Sequence, residues 1–371
     1  APLSDSLTAT VGAYAIWKEL DHPIFQVIDQ ESRNYGLHGR LDWTGQVAGR
    51  RKADAFAGVW LRSGDLDSHF YVNLAGARGA LRSISYQNAD AVDLFAEGRL
   101  FVTDQLALVA GGAYGRAERD YRSVAVPGVA STFNLVASKD FDWFAPRLGL
   151  LWEAPDGVQV FANVTRSVEP PNFGSLSPTG VGFAPVEAQD AVTFEMGTRG
   201  RRGAFTWDLT AYHAEIEKEM LQFSVSPDRP ATTFNADETY HRGIEAALDW
   251  RFAQTWRLRQ TYTWSDFRFR NDVQYGDNRL PVIPEHLYRA ELRHDSPQGW
   301  FVAPSVEWAP EGAWVDFRNT LRSPGYTVAN LNLGWTLPNG VSLFADIRNL
   351  TDEAYVSNVQ PVIAAGPTTA A

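Results

Sequence analysis

Three short segments combine arginine with aromatic residues densely enough for recognition chemistry. Arg116, Arg119, Tyr121 and Arg122 fall in the first, Phe267, Arg268, Phe269, Arg270 and Tyr275 in the second, and Trp314, Phe317, Arg318 and Arg322 in the third. Arginine presents a planar fork of donors that matches carboxylates and other oxygen anions, and aromatic rings supply flat surface to cover an organic ligand. A fourth segment, RSVEPPNF from Arg166 to Phe173, carries two prolines that hold the backbone extended and present a guanidinium or a ring at its ends. The residues nominated for ligand binding are therefore Arg119, Tyr121, Arg122, Arg166, Phe173, Arg268, Arg270 and Tyr275. The competing use is structural. Glu118, Asp120, Asp266, Asp272 and Asp316 lie close enough in sequence to pair with these arginines, and the prolines alone would shape a loop.

Other chemistries find little support. The 7 histidines show no HExxH or comparable spacing, so no metal site and no cofactor are assigned. No GxSxG elbow nominates a nucleophilic serine, and the glycines of GGAYG (111–115) fall on a strand pattern rather than between a strand and a helix, which excludes a phosphate loop. An enzyme is not expected. A formal net charge of −11 argues against nucleic acid as a partner.

The elements that must position these residues are strands. Val341, Leu343, Ala345 and Ile347 alternate with Ser342, Phe344, Asp346 and Arg348, and Val158–Thr165, Ile244–Trp250, Tyr288–Arg293 and Ala329–Leu337 alternate in the same way. No stretch keeps a helical period, no run approaches the ~18 apolar residues of a membrane helix, and the mean hydropathy is slightly negative. With 44% hydrophobic and 13% aromatic residues the chain can bury a large surface, and with 0 cysteines it needs no disulfides to do so. About fifteen strands can be placed, near 6–17, 32–44, 53–62, 90–101, 106–117, 141–153, 158–167, 188–200, 204–218, 237–252, 256–268, 286–295, 300–309, 325–337 and 341–350.

The connections decide between the possible all-β folds. Tight turns at 45–52, 102–105, 154–157, 200–203, 252–255, 295–299 and 337–340 alternate with long polar segments. A sandwich mixes lengths at both ends, whereas an antiparallel transmembrane up-and-down β-barrel has short turns on one side of the membrane and long loops on the other. Tryptophans near strand ends, such as Trp43, Trp60, Trp152, Trp250, Trp264 and Trp308, suit interfacial girdles. On this reading Leu343 and Ile347 face lipid, and Asp346 and Arg348 face the lumen together with Glu245, Asp249, Arg257, Arg259, Arg289, Glu291 and Arg293. Bacterial barrels have even strand numbers, so a count of about fifteen leaves a strand missing.

Four segments also resemble one family. FADIRNLTDEAY (344–355) is similar to the penultimate strand and following loop of TonB-dependent outer-membrane receptors, and PGYTVANLNLGW (324–335) to the strand before it. VFANVTRSVEPPNFGSL (160–176) and ETYHRGIEAALDW (238–250) resemble two further barrel segments of that family, in the family's order. The resemblance implies a 22-stranded barrel with an N-terminal plug and energy delivered through a TonB box. It makes residues 1–371 a partial barrel domain, beginning at roughly the seventh strand, in which neither plug nor TonB box can be read. The implied function of the intact receptor is active import of a scarce nutrient, a ferric siderophore or ferric citrate, by a monomer in the bacterial outer membrane. Its partners would be membrane lipid, the anionic ferric chelate, and TonB through the missing N-terminal region. The alternative is a passive diffusion porin, which the same strand pattern would serve.

Overall fold

In a computed structural model that describes residues 2–176, 182–225 and 231–365, the alternating segments become sixteen strands. They are β1 Pro2–Ser4, β2 Leu7–Pro23, β3 Val27–Val47, β4 Arg51–Leu74, β5 Ala77–Phe101, β6 Leu106–Val124, β7 Leu135–Glu153, β8 Gln159–Glu169, β9 Gln189–Arg202, β10 Phe205–Phe223, β11 Thr232–Trp250, β12 Trp256–Phe269, β13 His286–Asp295, β14 Trp300–Ala309, β15 Tyr326–Thr336 and β16 Ser342–Ile347. All sixteen belong to one sheet, each strand hydrogen-bonded to its neighbours in sequence order and antiparallel to them. Among the described residues one short helix, α1 Phe173–Leu176, interrupts the pattern, and no helix is long and apolar enough to cross a membrane.

Two expectations need correction. The strand missing from the sequence count is β1, three residues that pair with the start of β2 and are too short to show alternation. The polar stretch 63–89 is not a loop. It forms the distal halves of β4 and β5, 24 and 25 residues long, which turn on Ala75 and Gly76 at φ 52° and 96°, as a tight hairpin with both central residues left-handed requires. The physical reason lies in contrast. Where both faces of a strand meet water the backbone pleat persists, but the hydrophobic alternation that reveals it in sequence disappears. The alternation of short and long connections therefore holds from β6 onward, while β2–β3 and β4–β5 are closed tightly at both ends. Residues 177–181 of the loop after RSVEPPNF, and 366–371 of the tail that reads as lacking a closing strand, lie outside the described residues.

The chain divides into two compact units, Ala1–Leu148 with Thr165–Ala191 and Lys218–Asn235, and Gly149–Val164 with Val192–Glu217 and Ala236–Ala371. In the second unit, register separates two faces cleanly. Leu258 stands beside Trp250 and Leu292, Tyr288 beside Tyr262 and Trp308, and Leu333 beside Val302 and Ala345. The opposite face carries a ladder of charge: Asp249 opposite Arg259, Arg259 opposite Glu291, and Arg289 opposite Glu307. Arg259 meets Glu291 at 3.3 Å, Arg289 meets Glu307 at 2.6 Å, and the Tyr326 hydroxyl donates to Glu307 at 2.7 Å. Cross-strand pairs of this kind contribute roughly 0.2–1 kcal/mol each.

The first unit repeats the division. Leu37 opposite Leu61, Leu41 opposite Ala57, and Leu94 opposite Tyr114 form one face, and Gly36 opposite Arg62, then Arg62 opposite Ala91, belong to the other. Leu94, Leu108 and Leu148 in the first unit, and Trp300, Trp308, Trp335 and Leu343 in the second, all stand exposed, so each unit presents large apolar side chains suited to hydrocarbon. The two largest fully buried side chains, Phe269 at the end of β12 and Phe317 in the connection after β14, lie in the second unit.

Candidate functional site

The nominated residues separate into two groups, one in each unit. In the first unit the distal parts of β2–β6, with the end of β8 and Pro170, line an open cavity of about 720 Å³. Arg119 and Phe173 both border it, with Lys18, Arg62 and Glu169. Arg119 stands on β6 opposite Ala89, on the face it shares with Tyr121, which stands opposite Gln87. Among the described residues its guanidinium makes one hydrogen bond, from Nη1 to the backbone oxygen of Glu118 at 2.9 Å, and no carboxylate lies within ion-pair distance of it. Arg62, by contrast, is paired with Asp93. The Tyr121 ring meets Phe183 edge-on at 6.1 Å, and Phe183 lies 6.4 Å from Phe173. A half-buried guanidinium with open donors thus adjoins three rings along one wall.

Arg122 is excluded from that wall by period-two geometry. It stands one residue beyond Tyr121, on the opposite face, with its guanidinium 4.4 Å over the Tyr86 ring. Treating 116–122 as a loop hid this; as part of β6 the segment must split its arginines between two faces. Arg166 has a bracing position. Its Nε lies 3.0 Å from both carboxylate oxygens of Asp190, and its Nη1 donates to the Phe144 backbone oxygen at 3.0 Å. Two bonds to a planar acceptor fix orientation, so Arg166 anchors the start of the segment that carries Phe173. On the far side of that connection Lys218 bonds Glu187 at 2.8 Å and holds its carboxyl below the usual carboxylate range.

In the second unit the nominated residues are engaged with their own scaffold. Arg268 Nε donates to Asp266 at 2.7 Å, while Arg270 reaches Glu215 at 3.2 Å and Glu238 at 3.8 Å. Tyr275 is buried, its ring 4.8 Å from Phe269 and 5.7 Å from Phe317. Burial, and then the charge of Asp272, raise its hydroxyl above the ordinary tyrosine pKa. Asp272 and Asp316 serve as turn acceptors: Asp272 takes the backbone N–H of Gln274 and Tyr275, and Asp316 those of Thr320 and Leu321. Arg322 pairs with Glu311 and lies 5.4 Å over Trp314.

Sequence reasoning missed Lys18 and Phe183. Lys18 belongs to the part of β2 that rises beyond the apolar band, and Phe183 has no neighbour in sequence that marks it; only folding places it between Tyr121 and Phe173.

Comparison with known proteins matches this geometry to one family. The β-barrel model of the TonB dependent receptor-like family matches residues 4–350. The pesticin receptor of Yersinia pestis is 23% identical over 280 residues, covering 74% of this chain and 41% of the receptor. The ferric yersiniabactin uptake receptor FyuA from Yersinia pestis superposes with a TM-score of 0.72 at 16% identity, over 95% of this chain and 55% of that one. The siderophore receptor PiuA from Acinetobacter baumannii does so with 0.77 at 14% identity, over 97% and 61%. The chain thus spans about half the length of the proteins it matches. Sixteen antiparallel strands in sequence order, apolar on one face and charged on the other, are the wall expected of such receptors, and the chain belongs to the TonB dependent receptor-like β-barrel family of the bacterial outer membrane.

Proposed function

We propose that the intact receptor containing this barrel takes up an anionic ferric chelate, a ferric siderophore or ferric citrate, with energy supplied through TonB. In this reading the plug and the TonB box belong to the part of the receptor N-terminal to these residues. The observation that carries the ligand class is Arg119, a cation with no ion-paired carboxylate among the described residues, bordering a cavity beside the Tyr121–Phe183–Phe173 rings. Chelate oxygens would accept from the guanidinium fork while the rings cover the organic frame. The named activities of FyuA and PiuA support the same class. A passive porin would share the charged face but not the family's segment order.

Replacing Arg119 by alanine in the intact receptor is expected to weaken binding of a ferric chelate by roughly 1–3 kcal/mol, the range for one charge-assisted bond, without altering barrel folding. Replacing both Arg268 and Arg270 serves as the comparison, because their donors are already turned to Asp266, Glu215 and Glu238. Titration calorimetry across ferric siderophores and ferric citrate reads both. A panel in which nothing binds the unaltered receptor would sink the proposed function; a loss confined to the double variant would move the ligand to the second unit's loops.

A further inference from the structure

One cluster of charge lies on the wrong face for a ligand in the lumen. Arg242 and Asp266 stand directly opposite each other on β11 and β12, and Arg268 is bridged to Arg279. Three guanidinium groups share the single carboxylate of Asp266, at 2.6 Å from Arg242, 2.7 Å from Arg268 and 3.2 Å from Arg279. The Asp266 side chain is only 2% exposed, whereas that of Arg242 is 49% exposed. Arg279 also bonds Glu285 at 2.7 Å, so three cations meet two carboxylates. Among the described residues Arg242 has no other acidic partner, and its Nη1 makes no bond. Arg270, farther along the same strand, is taken up by Glu215 and Glu238 and adds no free cation.

The face on which these groups stand follows from register. Asp266 and Arg268 share their side of β12 with Leu258, Tyr262 and Trp264, and Arg242 shares its side of β11 with Ile244 and Trp250. That is the apolar, lipid-directed face, while Arg257, Arg259 and Asp249 point the other way. Strands rise about 3.3 Å per residue, which puts Asp266 about 7 Å beyond Trp264 toward the long connections. Trp264, Tyr262, Tyr288 and Trp308 form an aromatic belt on neighbouring strands, and such belts lie at the membrane interface. The cluster therefore stands at headgroup depth, facing outward.

We infer that Arg242, Arg268 and Arg279 form a binding site for the phosphate of a lipid headgroup in the leaflet on the long-loop side. Buried Asp266 holds the three guanidiniums in register and cancels only part of their charge. A phosphate oxygen would complete the open donors, and the acyl chains would lie on Ile244 and the aromatic belt below. The site is distinct from the Arg119 cavity and does not depend on what the receptor imports.

The test uses the intact receptor in dodecyl maltoside micelles, whose headgroups carry no phosphate, doped with lipid A, and, in parallel, with dephosphorylated lipid A. Native mass spectrometry of the released protein is expected to show retained lipid A and little dephosphorylated lipid. Arg242→Gln, which leaves Asp266 two partners, should lower retention roughly tenfold, and Arg201→Gln, near the short turn after β9, should leave it unchanged. Equal retention of both lipids by the unaltered receptor would overturn the site without reference to any variant, as would full retention by Arg242→Gln. Displacement of lipid A by millimolar inorganic phosphate, with equal occupancy by that ion alone, would make the cluster a free-anion site and overturn the lipid assignment.

Discussion

Replacing Leu333 by arginine is expected to cost about 2–4 kcal/mol of folding free energy in lipid, the cost of a cation near the bilayer midplane on the outer face of a barrel. Leu333 lies in the interior of β15 with Val302 on one side and Ala345 on the other, in the apolar stripe that also holds Leu331, Trp335 and Leu343. Its neighbours on that face, Val302, Ala345, Leu331 and Trp335, carry no acidic group, so the charge must snorkel or remain in hydrocarbon. The neighbouring Asn332 points to the face of Asp346, and Asn332→Arg should cost much less. Reversible folding of the intact receptor into lipid vesicles, followed by denaturant titration, measures both. Equal effects of the two substitutions would mean that register does not separate lipid from lumen here.

Replacing Asp316 by alanine is expected to open the connection between β14 and β15 at a cost of about 3 kcal/mol, since the donors of Thr320 and Leu321 lose one buried carboxylate acceptor. The Asp316 side chain is fully buried and accepts from Thr320 N at 3.1 Å, Thr320 Oγ1 at 2.8 Å and Leu321 N at 3.0 Å. That turn sets Asn319, which exchanges bonds with the backbone of Arg279 at 2.8 and 2.9 Å. It also sets Phe317, whose ring packs on Phe269 at 5.9 Å and whose carbonyl accepts from Asn278 at 2.9 Å. The connections 270–285 and 310–325 therefore pack together around Phe269 and Phe317, and faster amide exchange should appear in both. Thr320→Val, which removes one of those bonds, should cost about 1 kcal/mol. Exchange that quickens in 310–325 alone would show that the two loops are not coupled through Asn319 and Phe317.

Strands that cross between lipid and a polar interior announce themselves in sequence, because each residue meets one of two very different solvents. That is why β12 to β15 are legible almost to the residue from 256–268, 286–295, 300–309 and 325–337, and why the all-β architecture, the lipid-facing set around Leu333 and Leu343, and the family segments follow from residue order alone. Beyond the membrane both solvents are water. There the same pleat leaves no hydrophobic record, and β4 and β5 pass for loops across 63–89.

The composition of the arginine and aromatic segments was equally legible, but their use was not. A guanidinium near Asp266 in sequence and one near Glu118 look alike as strings of residues. Tertiary structure turned Arg268 onto a buried carboxylate, sent Arg122 to the opposite face from Tyr121, and left Arg119 beside a cavity with its guanidinium bonded to a backbone oxygen. The physical reason is range. Alternation is local, set by the pleat and the solvent on each face, whereas pairing is decided by which strands and connections meet. Contacts such as Arg242 with Asp266, or Phe183 between Tyr121 and Phe173, join residues that only folding brings together.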